Sequence, residues 1–221
     1  MEKLGGSENL AKVVAIASSN SLLSLSEADI YDVFHGISRF NHSCLPNADC
    51  FLSDLDRPVE LRAVRNIKEG EEITITYIGD DTCRDRDERR AELLDRYSFL
   101  CRCTGCEISE AALEVNKQDC ANYRSLYTEL DLRDAADERV AIIKEMYKLA
   151  KEIKTFSYTS ILQILKWGSC AALHASLWSD AAAFSKASYI ITKRIRGPDD
   201  NVTQTYLSSV VMFTRLMEAQ L

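Results

Sequence analysis

The chain has 221 residues, 46% of them hydrophobic, with a formal net charge of −7 and a pI near 5.1. That length supports one large domain or two small ones, and the apolar share excludes a disordered composition. The acidity argues against nucleic acid or an anionic membrane surface as the main partner, and the longest apolar run, Val13 to Ala17, is too short to span a bilayer.

Met1 to Gly6 has no positive segment followed by an apolar run, so the chain reads as an intracellular protein of the cytoplasm and/or nucleus. In that setting its eight cysteines read as reduced thiols or metal ligands rather than a disulfide framework.

In chain order, Leu10, Val13, Val14 and Ala17 recur at helical spacing and predict a short helix over 8–18, broken by the Ser-Asn run at 18–21. Tyr31 to Ile37 is a short apolar-rich piece interrupted by Gly36. Ala48 to Leu52 reads as a strand, and Val59, Leu61 and Ala63 alternate with Glu60 and Arg62 as a half-buried strand does. Lys68 to Glu71 reads as a turn, and Ile73, Ile75 and Tyr77 alternate with Thr74 and Thr76 in another strand. Arg84 to Tyr97 reads as a helix with Leu93, Leu94 and Tyr97 on one face. Its interleaved charges, Arg84, Arg86, Arg89 and Arg90 with Asp85, Asp87 and Glu88, read as a solvated face.

Near residue 107 the composition shifts from strand and turn signals to helix. About four or five helices are expected, near 112–130, 134–153, 158–177, 180–195 and 202–219, with Asp134 capping the second and Gly197-Pro198 ending the fourth. The small residues between Ala171 and Ala183 let helices approach closely. Stacked helix pairs of this kind resemble tetratricopeptide repeats, although no clean internal period is legible. The expected fold class is α+β, with a β-rich part over 1–107 and an all-α domain over 108–221.

Cysteine spacing carries the chemistry. Cys101, Cys103 and Cys106 place three thiols within six residues, and Cys44 lies 57 positions before the first of them (101 minus 44). Zinc takes four soft ligands in a tetrahedron, so the triplet leaves one vertex for a remote thiol. Cys44 fits best, in a proline-containing loop between polar neighbours; Cys50 is the competitor, although strand alternation equally places it in a core. Gly105 is expected to supply the sharp turn the triplet needs. Four thiols favour a closed structural site over an open catalytic one. Cys83, Cys120 and Cys170 stand isolated and read as structural, and so do His35, His174, Trp167 and Trp178.

Arg39-Phe40-Asn41-His42-Ser43-Cys44-Leu45-Pro46-Asn47 resembles the NHSCxPN signature of SET-domain protein lysine methyltransferases, and Gly70-Glu71-Glu72-Ile73-Thr74-Ile75-Thr76-Tyr77 resembles the GEELTxxY strand that follows it. Arg89-Arg90 through Tyr97 to Cys106 is similar to the post-SET segment of the SET-and-MYND subfamily, whose C-terminal helical domain the tail also resembles, notably in Ala187 to Arg196 followed by Gly197-Pro198-Asp199.

The resemblance implies S-adenosylmethionine as cofactor and one structural zinc, on Cys44, Cys101, Cys103 and Cys106. It implies a protein substrate presenting a lysine, histone or non-histone, with no direct nucleic acid and no membrane. Asn41 and His42 match cofactor-contacting positions beside a knot-like crossing, and Asn20 matches a further such asparagine. Tyr77 matches the catalytic tyrosine of the lysine channel, and Tyr97 and Phe99 match aromatic residues that close over the cofactor. Taken one at a time, these residues read as a turn cap, a core histidine, a strand aromatic and a helix end; their order around the cysteines groups them.

No Gly-x-Gly strand and no MYND finger is legible before residue 41. The resemblance therefore covers the last part of the SET domain plus the helical domain, as a fragment or truncation would. Two readings follow: a lysine methyltransferase, or a catalytically inactive zinc-stapled protein-interaction module.

Overall fold

A computed structural model describes residues 4–20, 22–23, 31–51, 60–79 and 83–219. Among them are seven helices and six short strands, and the chain divides into two compact units, residues 1–77 with 90–101 and residues 78–89 with 102–221.

In the first unit, helix α1 (Leu4–Asn20) is longer than the sequence suggests. The Ser-Asn run does not break it, because Asn20 Nδ2 donates to Ile16 O at 2.9 Å and closes the last turn. Its apolar residues Leu10, Val13, Val14 and Ile16 are exposed. Strands β1 (Leu22–Leu23) and β2 (Tyr31–Asp32) pair antiparallel. A 3-10 turn at Ile37–Arg39 leads into β3 (Asn41–His42). Strand β4 (Ala48–Phe51) pairs antiparallel with β5 (Glu60–Ala63), Ala48 opposite Ala63 and Phe51 opposite Glu60. Leu52 and Val59, the expected ends of those two strands, lie outside the described residues.

Strand β6 is only Thr74–Ile75 and runs parallel to β3, with Asn41 opposite Thr74 and His42 opposite Ile75. Ile73 and Tyr77 fall outside it. The backbone before β6 is bonded by a side chain instead of a ladder: Asn47, 1% exposed, accepts from Thr74 N at 2.9 Å and donates to Glu72 O at 2.8 Å. Ile37, Ala48 and Ile75 form the small core beneath, flanked by Phe34, Phe40, Cys50, Leu61 and Tyr77.

Helix α2 (Arg86–Tyr97) starts with a reciprocal cap: Asp85 Oδ1 accepts from the Asp87 and Glu88 amides, and Glu88 Oε2 accepts from Asp85 N. Leu93 is fully buried, whereas Leu94 is 55% exposed, so the expected Leu93-Leu94-Tyr97 face is not one face. Adjacent helical residues point about 100° apart.

The second unit is built on α3 (Glu110–Asp131), α4 (Ala136–Glu152), α5 (Tyr158–His174), α6 (Trp178–Arg196) and α7 (Asn201–Glu218), each packed on the next. Ser109, Ser157 and Asp200 cap α3, α5 and α7 through their side chains. Asp134 does not cap α4, which starts one residue later behind Ala135 without a side-chain cap. Gly197, at φ 93°, ends α6 as expected. Ile143, Met146, Ile164 and Leu165 centre the core. Gly168 allows α5 and α6 to approach, since a Cβ there would lie 2.7 Å from the Phe184 ring.

Candidate active site and metal centre

Strand β3 and the segment after β6 bring the aromatic residues of the first unit together. Tyr77 lies 5.3 Å from His42, 5.1 Å from Tyr97 and 6.4 Å from Phe99, measured between ring centroids, and Phe99 lies 6.0 Å from His42. Tyr97 Oη donates to Tyr77 O at 3.1 Å, fixing α2's last residue against that segment. Tyr77 N–H donates to His42 Nδ1 at 3.0 Å, and Tyr77 Oη donates to Phe40 O at 2.6 Å. Burial pushes the Tyr77 hydroxyl above its ordinary pKa, helped by Tyr97 and the negative charge of Glu72. It therefore stays protonated at neutral pH.

Asn41 Nδ2 donates to Glu72 Oε1 at 2.6 Å. Asn47 Nδ2 also donates to Glu71 Oε1 at 3.0 Å. Bonds from Arg65, the Lys68 amide and Asn47 lower the Glu71 carboxyl to about 2. Asn20, by contrast, has its amide bonded within α1.

The Sγ atoms of Cys44, Cys101, Cys103 and Cys106 all lie within 4.8 Å of one another. A tetrahedral zinc with Zn–S near 2.3 Å requires sulfurs about 3.8 Å apart, so the donor set and its spacing fit one metal ion. Cys101, Cys106 and Cys44 are buried. The triplet turns through Cys106 N and Glu107 N, which both donate to Cys103 O at 2.8 and 2.9 Å. That is a single helix-like turn. His42 Nε2 lies 3.2 Å from Cys44 Sγ. Because Nδ1 is the acceptor for Tyr77 N–H, the neutral ring carries its proton on Nε2 and donates it to the sulfur.

Cys50 is not in the cluster; it sits in β4, its thiol pushed up to about 11 by burial and by Asp49. Cys83 and Cys120 are not isolated, since their sulfurs are 2.9 Å apart. The α2 charges are not simply a solvated face either. Arg89 is 5% exposed and donates to Arg84 O at 2.7 Å and Gly105 O at 2.9 Å, while Arg90 Nε donates to Cys101 O at 3.0 Å. These two arginines hold the carbonyls of the thiol loop. The charge run hid them, because alternating signs look alike whether the side chains reach water or a carbonyl. Nothing in the residue pattern singles out Asn47 either, although it lies within the motif.

Residues 11–78 match the family model of the SET domain. Over 74 residues the chain is 43% identical to a SET and MYND domain-containing protein of Dictyostelium discoideum, covering 34% of this chain and 14% of that protein. It is 36% identical over 103 residues to the human histone-lysine N-methyltransferase SMYD3, covering 47% of this chain and 23% of the relative. With the Arabidopsis thaliana histone-lysine N-methyltransferase ASHR1 the identity is 32% over 140 residues, 57% of this chain and 28% of the relative. The chain thus spans less than a third of the length of each of these relatives. Among the described residues, no helix is long and apolar enough to cross a membrane.

Proposed function

We propose that this chain, whose residues 11–78 match the SET-domain model and which is similar to SET-and-MYND proteins, works as an S-adenosylmethionine-dependent protein-lysine N-methyltransferase, or as the cofactor-closing half of one. Residues 1–107 are then the catalytic part and 108–221 a tetratricopeptide-like domain that holds a protein partner. One observation carries the reading: Tyr77 sits against His42, Tyr97 and Phe99 at 5.1–6.4 Å between rings.

When bound, S-adenosylmethionine supplies a methyl carbon activated by a sulfonium. The residues of this chain supply position and environment. The π faces of Tyr97 and Phe99 suit a cation at about 0.5–2 kcal/mol each. Asn41 and His42 contact the cofactor from β3, with Glu72 and Tyr77 fixing their side chains. The Tyr77 proton is committed to Phe40 O, so its oxygen lone pairs accept an N–H from the lysine and aim the nitrogen lone pair. The aromatic walls desolvate that amine and lower its pKa, which favours the neutral nucleophile. Alignment of this kind supplies roughly 7–11 kcal/mol. Cys44, Cys101, Cys103 and Cys106 hold a closed structural zinc. The substrate is a protein lysine, histone or non-histone, met in the cytoplasm and/or nucleus without nucleic acid or membrane.

The test is transfer of a labelled methyl group from S-adenosylmethionine to a panel of histone and non-histone proteins. Tyr77→Phe should lower turnover by about 10²-fold with cofactor binding retained. A folded Tyr77→Phe protein turning over like the parent would remove Tyr77 from that role. Absence of both transfer and cofactor binding in the parent would leave the zinc-stapled interaction module as the reading.

A further inference from the structure

The Sγ atoms of Cys83 and Cys120 lie 2.9 Å apart although the residues are 37 positions apart in sequence (120 minus 83). Cys83 is 2% exposed and Cys120 is 0% exposed. Neither belongs to the thiol quartet. Cys83 precedes the capped start of α2 and has φ 49°, a left-handed conformation rare for a residue with a side chain. Cys120 lies on the buried face of α3. A disulfide has its sulfurs about 2.05 Å apart, so closure requires a movement of less than about 1 Å. The hydrogen bond from Cys83 lowers the Cys120 pKa, and the positive charges of Arg89 and Arg124 add to it against burial and Asp85. A thiolate is the reactive form.

We propose that Cys83 and Cys120 form a reversible redox pair, oxidised by hydrogen peroxide to an intrachain disulfide. The Cys120 thiolate attacks one peroxide oxygen; the O–O bond breaks, leaving a sulfenic acid and a hydroxide that takes up a proton to become water. The Cys83 sulfur then attacks the sulfenic sulfur. The S–S bond forms, the S–O bond breaks, and the hydroxyl leaves as water with the Cys83 proton. Two thiols are oxidised and one peroxide is reduced to two waters. The adjacent sulfur captures the sulfenic acid before further oxidation. The bond closes a stretch of chain that contains Cys101, Cys103 and Cys106, so oxidation tethers the segment that bears the metal-site thiols. None of this depends on methyl transfer.

The experiment treats the zinc-loaded full chain with a few equivalents of hydrogen peroxide, quenches in acid, alkylates under denaturing conditions and maps peptides by mass spectrometry. The expected result is a Cys83–Cys120 cross-linked peptide, two of the eight thiols lost, and both recovered with dithiothreitol. Cys83→Ser should abolish the cross-link while exposed Cys170 reacts as before. Recovery of Cys83 and Cys120 in alkylated form while Cys170 is oxidised would overturn the proposal. So would a cross-link that joins either of them mainly to another cysteine. Because the primary readout is on the parent protein, it does not depend on the folding of the variant.

Discussion

His42 Nε2 lies 3.2 Å from the sulfur of Cys44 while His42 Nδ1 takes the Tyr77 amide proton. One imidazole therefore joins the aromatic cluster to the thiol quartet, and its two nitrogens have different work. Replacing it with glutamine removes the ring and its two-sided geometry. Since groups that orient metal ligands are worth about 10–100-fold in metal affinity, His42→Gln should retain zinc at least tenfold more weakly in chelator competition. Unchanged affinity would mean that the Nε2 contact is incidental.

Metal content separates Cys44 from Cys50. Elemental analysis should find about one zinc per chain, lost on Cys103→Ser or Cys44→Ser and kept on Cys50→Ala. Cys50 packs beside Ile37, Ala48 and Ile75, so its replacement should lower stability modestly without touching the metal.

Asn47 is a buried amide with three partners, Glu71 Oε1, Glu72 O and Thr74 N. Asn47→Ala leaves a backbone donor and a backbone acceptor unpaired, at about 1–3 kcal/mol for each buried group. Denaturant unfolding should show a loss of that order. A loss under about 0.5 kcal/mol would indicate that water replaces the amide.

The low pKa of Glu71 fixes the sign of a pH effect. Its folded-state value of about 2 lies below the ordinary 4.5, so the stability it contributes is complete above pH 4.5 and is lost as pH falls towards 2. A carbon-detected NMR titration should place the carboxyl midpoint near 2. A midpoint above 4 would mean that the bonds from Arg65, Lys68 and Asn47 do not hold in solution.

Packing between α5 and α6 is tested at Gly168. A methyl there meets the Phe184 ring at 2.7 Å, and overpacking of this kind destabilises by about 1–3 kcal/mol. Gly168→Ala should lower the melting temperature, and adding Phe184→Leu should recover part of the loss.

The sequence made some of this legible and hid the rest for physical reasons. The thiol triplet was readable because ligand spacing is local and soft-ligand chemistry is specific, and the five later helices were readable from their apolar period and from Gly197. Strand β6 is shorter than the alternation suggests, and beside its start the Asn47 side chain bonds Glu72 O and Thr74 N, which no alternation pattern encodes. Arg89 and Leu94 exchanged expected environments, Arg89 inward and Leu94 outward. The guanidinium of Arg89 finds buried carbonyls at Arg84 and Gly105, partners that exist only once the thiol loop is folded. The meeting of Cys83 with Cys120 depends on how α3 packs and leaves no mark in local spacing.

Whether the aromatic cluster around Tyr77 receives a sulfonium cofactor is decided by calorimetric titration of S-adenosylmethionine into the zinc-loaded chain. Binding at a single site in the micromolar range, about −8 kcal/mol, is expected, with Tyr97→Ala weakening it. Silence at millimolar cofactor, from a chain that is folded and holds its zinc, would contradict it.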